Sequence, residues 1–346
     1  VYGDDHTVTL GLMDNLAGNL LNAGQAAQAE PLFTELVERL RRVPGHGDIE
    51  LHHALARLGR LRSAQRRFDD AVVALSEAYT GLDERLEDSD PVFTSCGHNL
   101  GTALFNVRRF AEAEPILRRT HAARRATLGP AHQDTATTAQ ALGSALHGLG
   151  RLDEAAEVYG AALEALESSL GAEHDRVVRG WRNLGVIAVA RRKFDEAAAA
   201  YTRCSDAARR ARAPELAQDL EVLAVCRLEL SDWPGAEAAA RECAALREAQ
   251  AGEPEWNRAY ARVLAAAAVL GAGRESEGAT LLATAGEQLA QAQDAPKPRP
   301  GQPDRVRAAC ERLSSCFEAL HARDSAAGHA ASAAQWRQRA EARRPK

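Results

Sequence analysis

The feature that most constrains this 346-residue chain is a period. A small residue followed twelve positions later by alanine or glycine recurs as Ala17/Ala29, Gly59/Ala71, Gly101/Ala113, Gly143/Ala155, Gly185/Ala197, Ala224/Ala236 and Ala266/Gly278. Successive pairs are 42, 42, 42, 42, 39 and 42 residues apart. A fixed period of roughly 20 to 50 residues marks an array of stacked units. Length alone would suggest two domains, at ~150 residues each. Each unit of an array buries its apolar face only against its neighbours, so the chain is expected to grow in one dimension as one solenoid.

Each copy reads as two antiparallel helices. In the first, Leu12, Leu16 and Leu20 stand at helical spacing from about Thr7 to Asn22, and Asn22-Ala23-Gly24 breaks the run. A second helix from Ala26 to Arg41 is expected to bury Ala29, Phe33 and Leu36 on one face. The pair is redrawn in every copy, ending with a seventh that has Glu275 where others carry leucine or an aromatic, and Gly278 in place of alanine. Residues 1–291 therefore form seven pairs. Residues 292–303, which include Asp294-Ala295-Pro296-Lys297-Pro298-Arg299-Pro300-Gly301, are too proline-rich for helix and form a connector. Residues 304–346 form a terminal pair, about Asp304 to His321 and Gly328 to Arg343, that caps the array. The expected fold class is all-α, an α-α superhelix of about eight antiparallel helix pairs.

Local signals agree. Asp90 precedes Pro91 as a cap before the first helical position. Asp69-Asp70, Asp153-Glu154 and Asp195-Glu196 place acids in the first turn of second helices. Glycine costs about 1 kcal/mol relative to alanine inside a helix, so Gly101, Gly143 and Gly185 at one register imply close helix approach. On that reading Gly143→Leu overpacks the crossing by ~1 to 3 kcal/mol, while Gly143→Ala is neutral or better.

The formal charge of −5 and pI near 6.2 supply no basic field for phosphate backbones, so nucleic acid is not an expected partner. The longest aliphatic run, Val263 to Leu270, is far short of the ~20 residues of a membrane span. Six cysteines without a Cys-x-x-Cys pair point to a reducing, cytoplasmic setting, with Cys204 and Cys243 at a small core register. Val1-Tyr2-Gly3 aligns with Thr127-Leu128-Gly129 and Ser169-Leu170-Gly171, each closing a helix, so Val1 is read as an internal cut.

The twelve-residue spacing, an aromatic or leucine near four further and a third small residue beyond it resemble the tetratricopeptide repeat, as in Trp181, Leu184, Gly185, Ala197, Tyr201 and Cys204. The period of 42 and loops such as Gly129-Pro130-Ala131-His132 and Gly171-Ala172-Glu173-His174 are similar to the repeats of kinesin light chains. The stretch Ala333-Ala334-Gln335-Trp336-Arg337 also resembles the end of arrays that follow the kinase domain of bacterial serine/threonine kinases. No kinase machinery lies in these residues: His-Arg-Asp, Asp-Phe-Gly and a glycine-rich nucleotide loop are missing, and the three lysines Lys193, Lys297 and Lys346 follow no such loop.

Histidines at a shared register raise the question of a metal site. His6, His132 and His174 share one register, but equivalent positions in stacked pairs lie ~10 Å apart and one zinc needs nitrogens within ~2.1 Å, so loop or capping roles are expected. His52 and His53 are adjacent and point to different faces. No metal, cofactor or catalytic residue is assigned.

The tetratricopeptide resemblance implies that the first helix of each pair lines an inner groove, where an asparagine before the leucine can bind the backbone of an extended peptide. Asn15, Asn99 and Asn183 match that position; Arg57, Ala141 and Val222 replace it elsewhere. Helical register adds His53, Arg60, His98, Phe105, Asn106, His147, Arg179 and Arg182, followed by Glu221 and Glu229. The reading is a scaffold that holds a protein or peptide, one with acidic residues, on this moderately basic floor. The alternative is a regulatory, substrate-recruiting region of a bacterial serine/threonine kinase.

Overall fold

The computed structural model describes residues 3, 5–42, 48–291, 305–323 and 329–342. Among the described residues there are sixteen helices and no strands. In chain order they are α1 Thr7–Asn22, α2 Ala26–Arg42, α3 Asp48–Ala64, α4 Phe68–Asp83, α5 Pro91–Asn106, α6 Phe110–Leu128, α7 Gln133–Gly148 and α8 Leu152–Leu170. There follow α9 Asp175–Ala190, α10 Phe194–Ala211, α11 Leu216–Glu229, α12 Trp233–Ala249, α13 Glu255–Gly271, α14 Glu275–Gln291, α15 Arg305–Arg323 and α16 His329–Glu341. The expected helix pairs are all present; the expected connector at 292–303 lies outside the described residues.

The chain forms two compact units, residues 1–180 and 181–346, with the boundary inside α9. Within each, consecutive helices pack side by side, and odd-numbered helices also touch the next odd-numbered helix. The odd helices therefore make an inner layer and the even helices an outer one.

One turn recurs seven times. Gly24, Arg66, Arg108, Gly150, Arg192, Ser231 and Gly273 all have positive φ, between 53° and 87° like the other left-handed residues of the chain. In the first copy the Gly24 amide donates to the Leu21 carbonyl and the Gln25 amide to the Leu20 carbonyl; the Arg66 and Arg67 amides repeat this toward Ser63 and Arg62, and the remaining five copies follow. This paired bonding closes the last carbonyls of a helix and reverses the chain. The next helix starts at once. Its leading arginine pairs with an acid three residues on, as in Arg67–Asp70 (2.7 Å), Arg109–Glu112 (2.6 Å) and Arg151–Glu154 (2.6 Å).

The histidines cap helices. Nδ1 of His6, His132 and His174 accepts from the amides of Val8, Asp134 and Arg176. Asp90 Oδ1 accepts from Val92 and Phe93 ahead of α5, as its position before Pro91 implied.

The close approach at the recurring glycines is present and tighter than expected. A Cβ added at Gly59, Gly101, Gly143 or Gly185 would lie 2.4, 2.3, 2.4 and 2.7 Å from Leu75, Leu117, Tyr159 and Tyr201 respectively. The expectation that Gly143→Ala is neutral is thereby corrected. The Tyr159 ring is itself held by a 2.7 Å hydrogen bond between its hydroxyl and Ser144 Oγ, so it cannot swing away without losing a bond. Gly278 is likewise required, since a Cβ there would meet Leu270 Cγ at 2.7 Å and the Leu270 amide nitrogen at 3.1 Å.

Leu12 and Leu16 lie on α1 as their spacing implied, yet are 65% and 52% exposed. Their equivalents Ala54, Leu58, Cys96, Leu100 and Leu142 are buried, each with an even helix ahead of it; among the described residues none stands ahead of α1. Cys204 and Cys243 are fully buried thiols in no disulfide, and burial pushes the Cys204 thiol up to about 12. No helix among the described residues is long and apolar enough to cross a membrane, and none of their His, Cys, Asp or Glu side chains form a group of three able to hold a metal.

Candidate peptide-binding groove

The odd helices of the first unit leave an open cleft of about 560 Å³ across α1, α3 and α5. Asn15, Asn19 and Asn22 line it from α1 at spacings of four and three, one face of a helix. His53, Arg57 and Arg60 face them from α3, and Ser95 and Asn99 from α5. No carboxylate lines the cleft. Arg57 reaches Asp14 at 3.2 Å behind the floor, and Arg60 donates to Asn22 Oδ1 at 3.3 Å. Burial raises the Asp14 pKa against the opposing pull of Arg57, while burial and then Arg57 lower that of His53. His53 Nε2 has no hydrogen-bond partner in the protein.

Of the residues expected on the floor, Asn15, His53, Arg60 and Asn99 are brought together here. The others are not. His98 is sunk between α5 and α7, with Nδ1 3.4 Å from Thr138 Oγ1, and burial pushes its pKa down to about 4. Thr138 also accepts from Arg124, which itself reaches Ser95 and the Asp134 carbonyl. Arg182 makes two 2.8 Å bonds to the fully buried carboxylate of Asp219 on α11, which hold its pKa up. Glu221 is buried against Arg247.

These three errors share a cause. His98, Arg182 and Glu221 occupy the register of Asp14, one residue before the asparagine register; His98 and Arg182 turn into the seam with the next odd helix, and Glu221 turns onto α12 of its own pair. His98–Thr138 and Arg182–Asp219 join the same two registers in different copies. Asn106 donates to the Thr102 carbonyl of its own helix and Arg179 pairs with Asp175 of its own helix at 2.7 Å, so both are occupied locally. Phe105 packs against Phe110 across the turn, 5.5 Å between centroids. His147 is half-buried in the last turn of α7, and Asn183 is exposed on α9. Glu229 pairs with Arg312 at 3.0 Å. Asn19 and Asn22 were missed, although helical spacing from Asn15 pointed to them.

Residues 93–168 and 142–210 match the model of the tetratricopeptide repeat family. Residues 93–210 carry tetratricopeptide repeats. Solved structures similar to this array include apo RapI, with TM-score 0.57 and 13% identity over 96% of this chain and 98% of that one. BtubC (BKLC) from P. vanneervenii has TM-score 0.53 and 21% identity over 66% of this chain and 92% of its own. A signal transduction ATPase with a tetratricopeptide repeat sensor, from Pyrococcus horikoshii, has TM-score 0.59 and 13% identity over 80% of this chain and 41% of its own. At these identities the likeness is one of fold. No curated protein matches the array. The resemblance to kinase-linked arrays draws no support from these matches.

Proposed function

We propose that the array is a protein-interaction scaffold that holds an extended peptide with acidic side chains along the α1–α3–α5 cleft. The observation that carries this reading is the lining itself: two arginines and four asparagines, without a carboxylate, on a chain whose net charge is −5. Each asparagine amide both donates and accepts, and so matches the alternating groups of an extended backbone. The guanidinium groups of Arg57 and Arg60 suit carboxylates, through charge-assisted bonds. Repeat arrays of this kind are binding segments, and the chemistry offered here is recognition.

The test is fluorescence anisotropy of the full chain with labelled extended peptides graded from acidic to basic. Acidic peptides are expected to bind best, with affinity reduced about tenfold by Arg60→Glu and less by Asn99→Ala, since hydrogen bonds to charged groups contribute ~1.5 to 3 kcal/mol and neutral ones ~1. Binding that ignores peptide charge, or survives both substitutions unchanged, removes the cleft from consideration.

A further inference from the structure

The second unit carries a different inner face at the registers that line the first unit's cleft. Tyr260, Leu264 and Ala267 of α13 stand where α3 has His53, Arg57 and Arg60, and all three are buried. Val222 and Val225 hold two of those registers on α11, partly buried against the same core. The helix that packs on α13 there is α15. Its closest partner is α16; of the helices before it, α15 rests chiefly on α13 and only lightly on α14, whereas α11 and α13 each pack closely on the even helix just before them. Ala309, Leu313, Phe317 and Leu320 form its apolar stripe and share one core with α11 and α13. At the rim Arg312 reaches back past α13 to Glu229 at the end of α11, a pair about two-thirds buried on each side.

We infer that α11 and α13 form a receiving groove for an amphipathic helix, and that α15 is its resident occupant. The groove is apolar along its floor and acidic at one end, so it selects a helix with apolar residues at i, i+4 and i+8 and an arginine beside the middle one. Extended peptides find no hydrogen-bonding floor there. This inference stands apart from the proposed cleft of the first unit and shares no residue with it.

The experiment uses the full chain and a fluorescent peptide of residues 305–323. Arg312→Glu sets like charges together and is expected to speed amide exchange of α15 about three- to tenfold, the scale of a partly exposed ion pair, while exchange in α1 to α8 stays unchanged. The labelled peptide then binds Arg312→Glu tighter than wild type by a similar factor, and Glu229→Arg combined with Arg312→Glu restores wild-type exchange. The inference is overturned if α15 and α13 exchange at one common rate in every chain, which makes α15 an inseparable part of the core. It is also overturned if the peptide treats wild type and Arg312→Glu alike.

Discussion

The inner faces of the two units are built on one repeat and end as opposite surfaces. At the register of Asn15 the first unit has Asn15, Arg57 and Asn99, which line an open polar cleft. At the same register the second unit begins with the exposed Asn183 and continues with Val222, partly buried against the core, and Leu264, completely buried. The backbone pattern is shared: the same left-handed turn and the same small-residue contacts recur in both. One or two side chains per inner helix therefore decide whether an array presents a wet recognition surface or takes up another helix of its own.

Exchanging the registers tests this most severely. Leu264→Asn places an amide where no partner waits and leaves a cavity, and should cost ~3 to 5 kcal/mol. Asn15→Leu, on the exposed floor, should stay within about 0.5 kcal/mol. Urea melts of the two variants give the comparison directly. Similar costs at both sites would mean that the cleft of the first unit is as closed as the core of the second.

The seams make a second contrast, since the same two registers carry an ion pair in one unit and a neutral contact in the other. Arg182→Ala strands the buried Asp219 carboxylate and should destabilise by about 3 kcal/mol. A wild-type melt for that variant would return Arg182 to the groove. His98 is held neutral by burial, with its pKa down from 6.5 to about 4. Between those values the unfolded chain binds a proton that the folded chain refuses, so stability is full above 6.5 and falls with acidification toward pH 4. The loss reaches up to about 3 kcal/mol. His98→Gln should flatten that segment of the pH–stability curve; an unchanged slope would place the acid sensitivity elsewhere.

Gly143→Ala comes next. The helix gains about 1 kcal/mol in propensity and loses ~1 to 3 to overpacking against Tyr159, for a net cost near 1 kcal/mol. Thermal melting at or above the wild-type temperature would show that the ring yields.

The sequence made the helix pairs legible because a period of 42 residues repeats a small residue where helices cross, and steric exclusion leaves little freedom there. The groove was only half legible. Asn15 and Asn99 could be placed from their register, but His98 and Arg182 could not. Neighbouring residues on a helix differ by about 100° in direction, so an error of one position turns a floor residue into a seam residue. The helix α15 was legible as part of a terminal pair, but its seat on α13 was not, for another reason. α15 departs from the repeat, and its docking on α13 depends on contacts between segments distant in sequence, which no period encodes.

The smallest effect concerns the turn that both units share. Three copies place glycine at the left-handed position and three place arginine: Arg66, Arg108 and Arg192 have φ of 63°, 63° and 58°. A non-glycine residue there costs ~1 to 2 kcal/mol, partly offset because glycine loses more freedom on folding. Arg108 and Arg192 recover some of the difference by setting their guanidinium groups over Phe110 and Phe194, at 5.7 and 5.8 Å from the ring centroids. Arg66 makes no such stacking contact among the described residues. Arg66→Gly should therefore stabilise by about 0.5 kcal/mol, and Arg108→Gly and Arg192→Gly should fall near zero, because a cation–π contact at an exposed site is worth ~0.5 to 1 kcal/mol. A destabilised Arg66→Gly would show that this arginine contributes more to the turn than its strain removes.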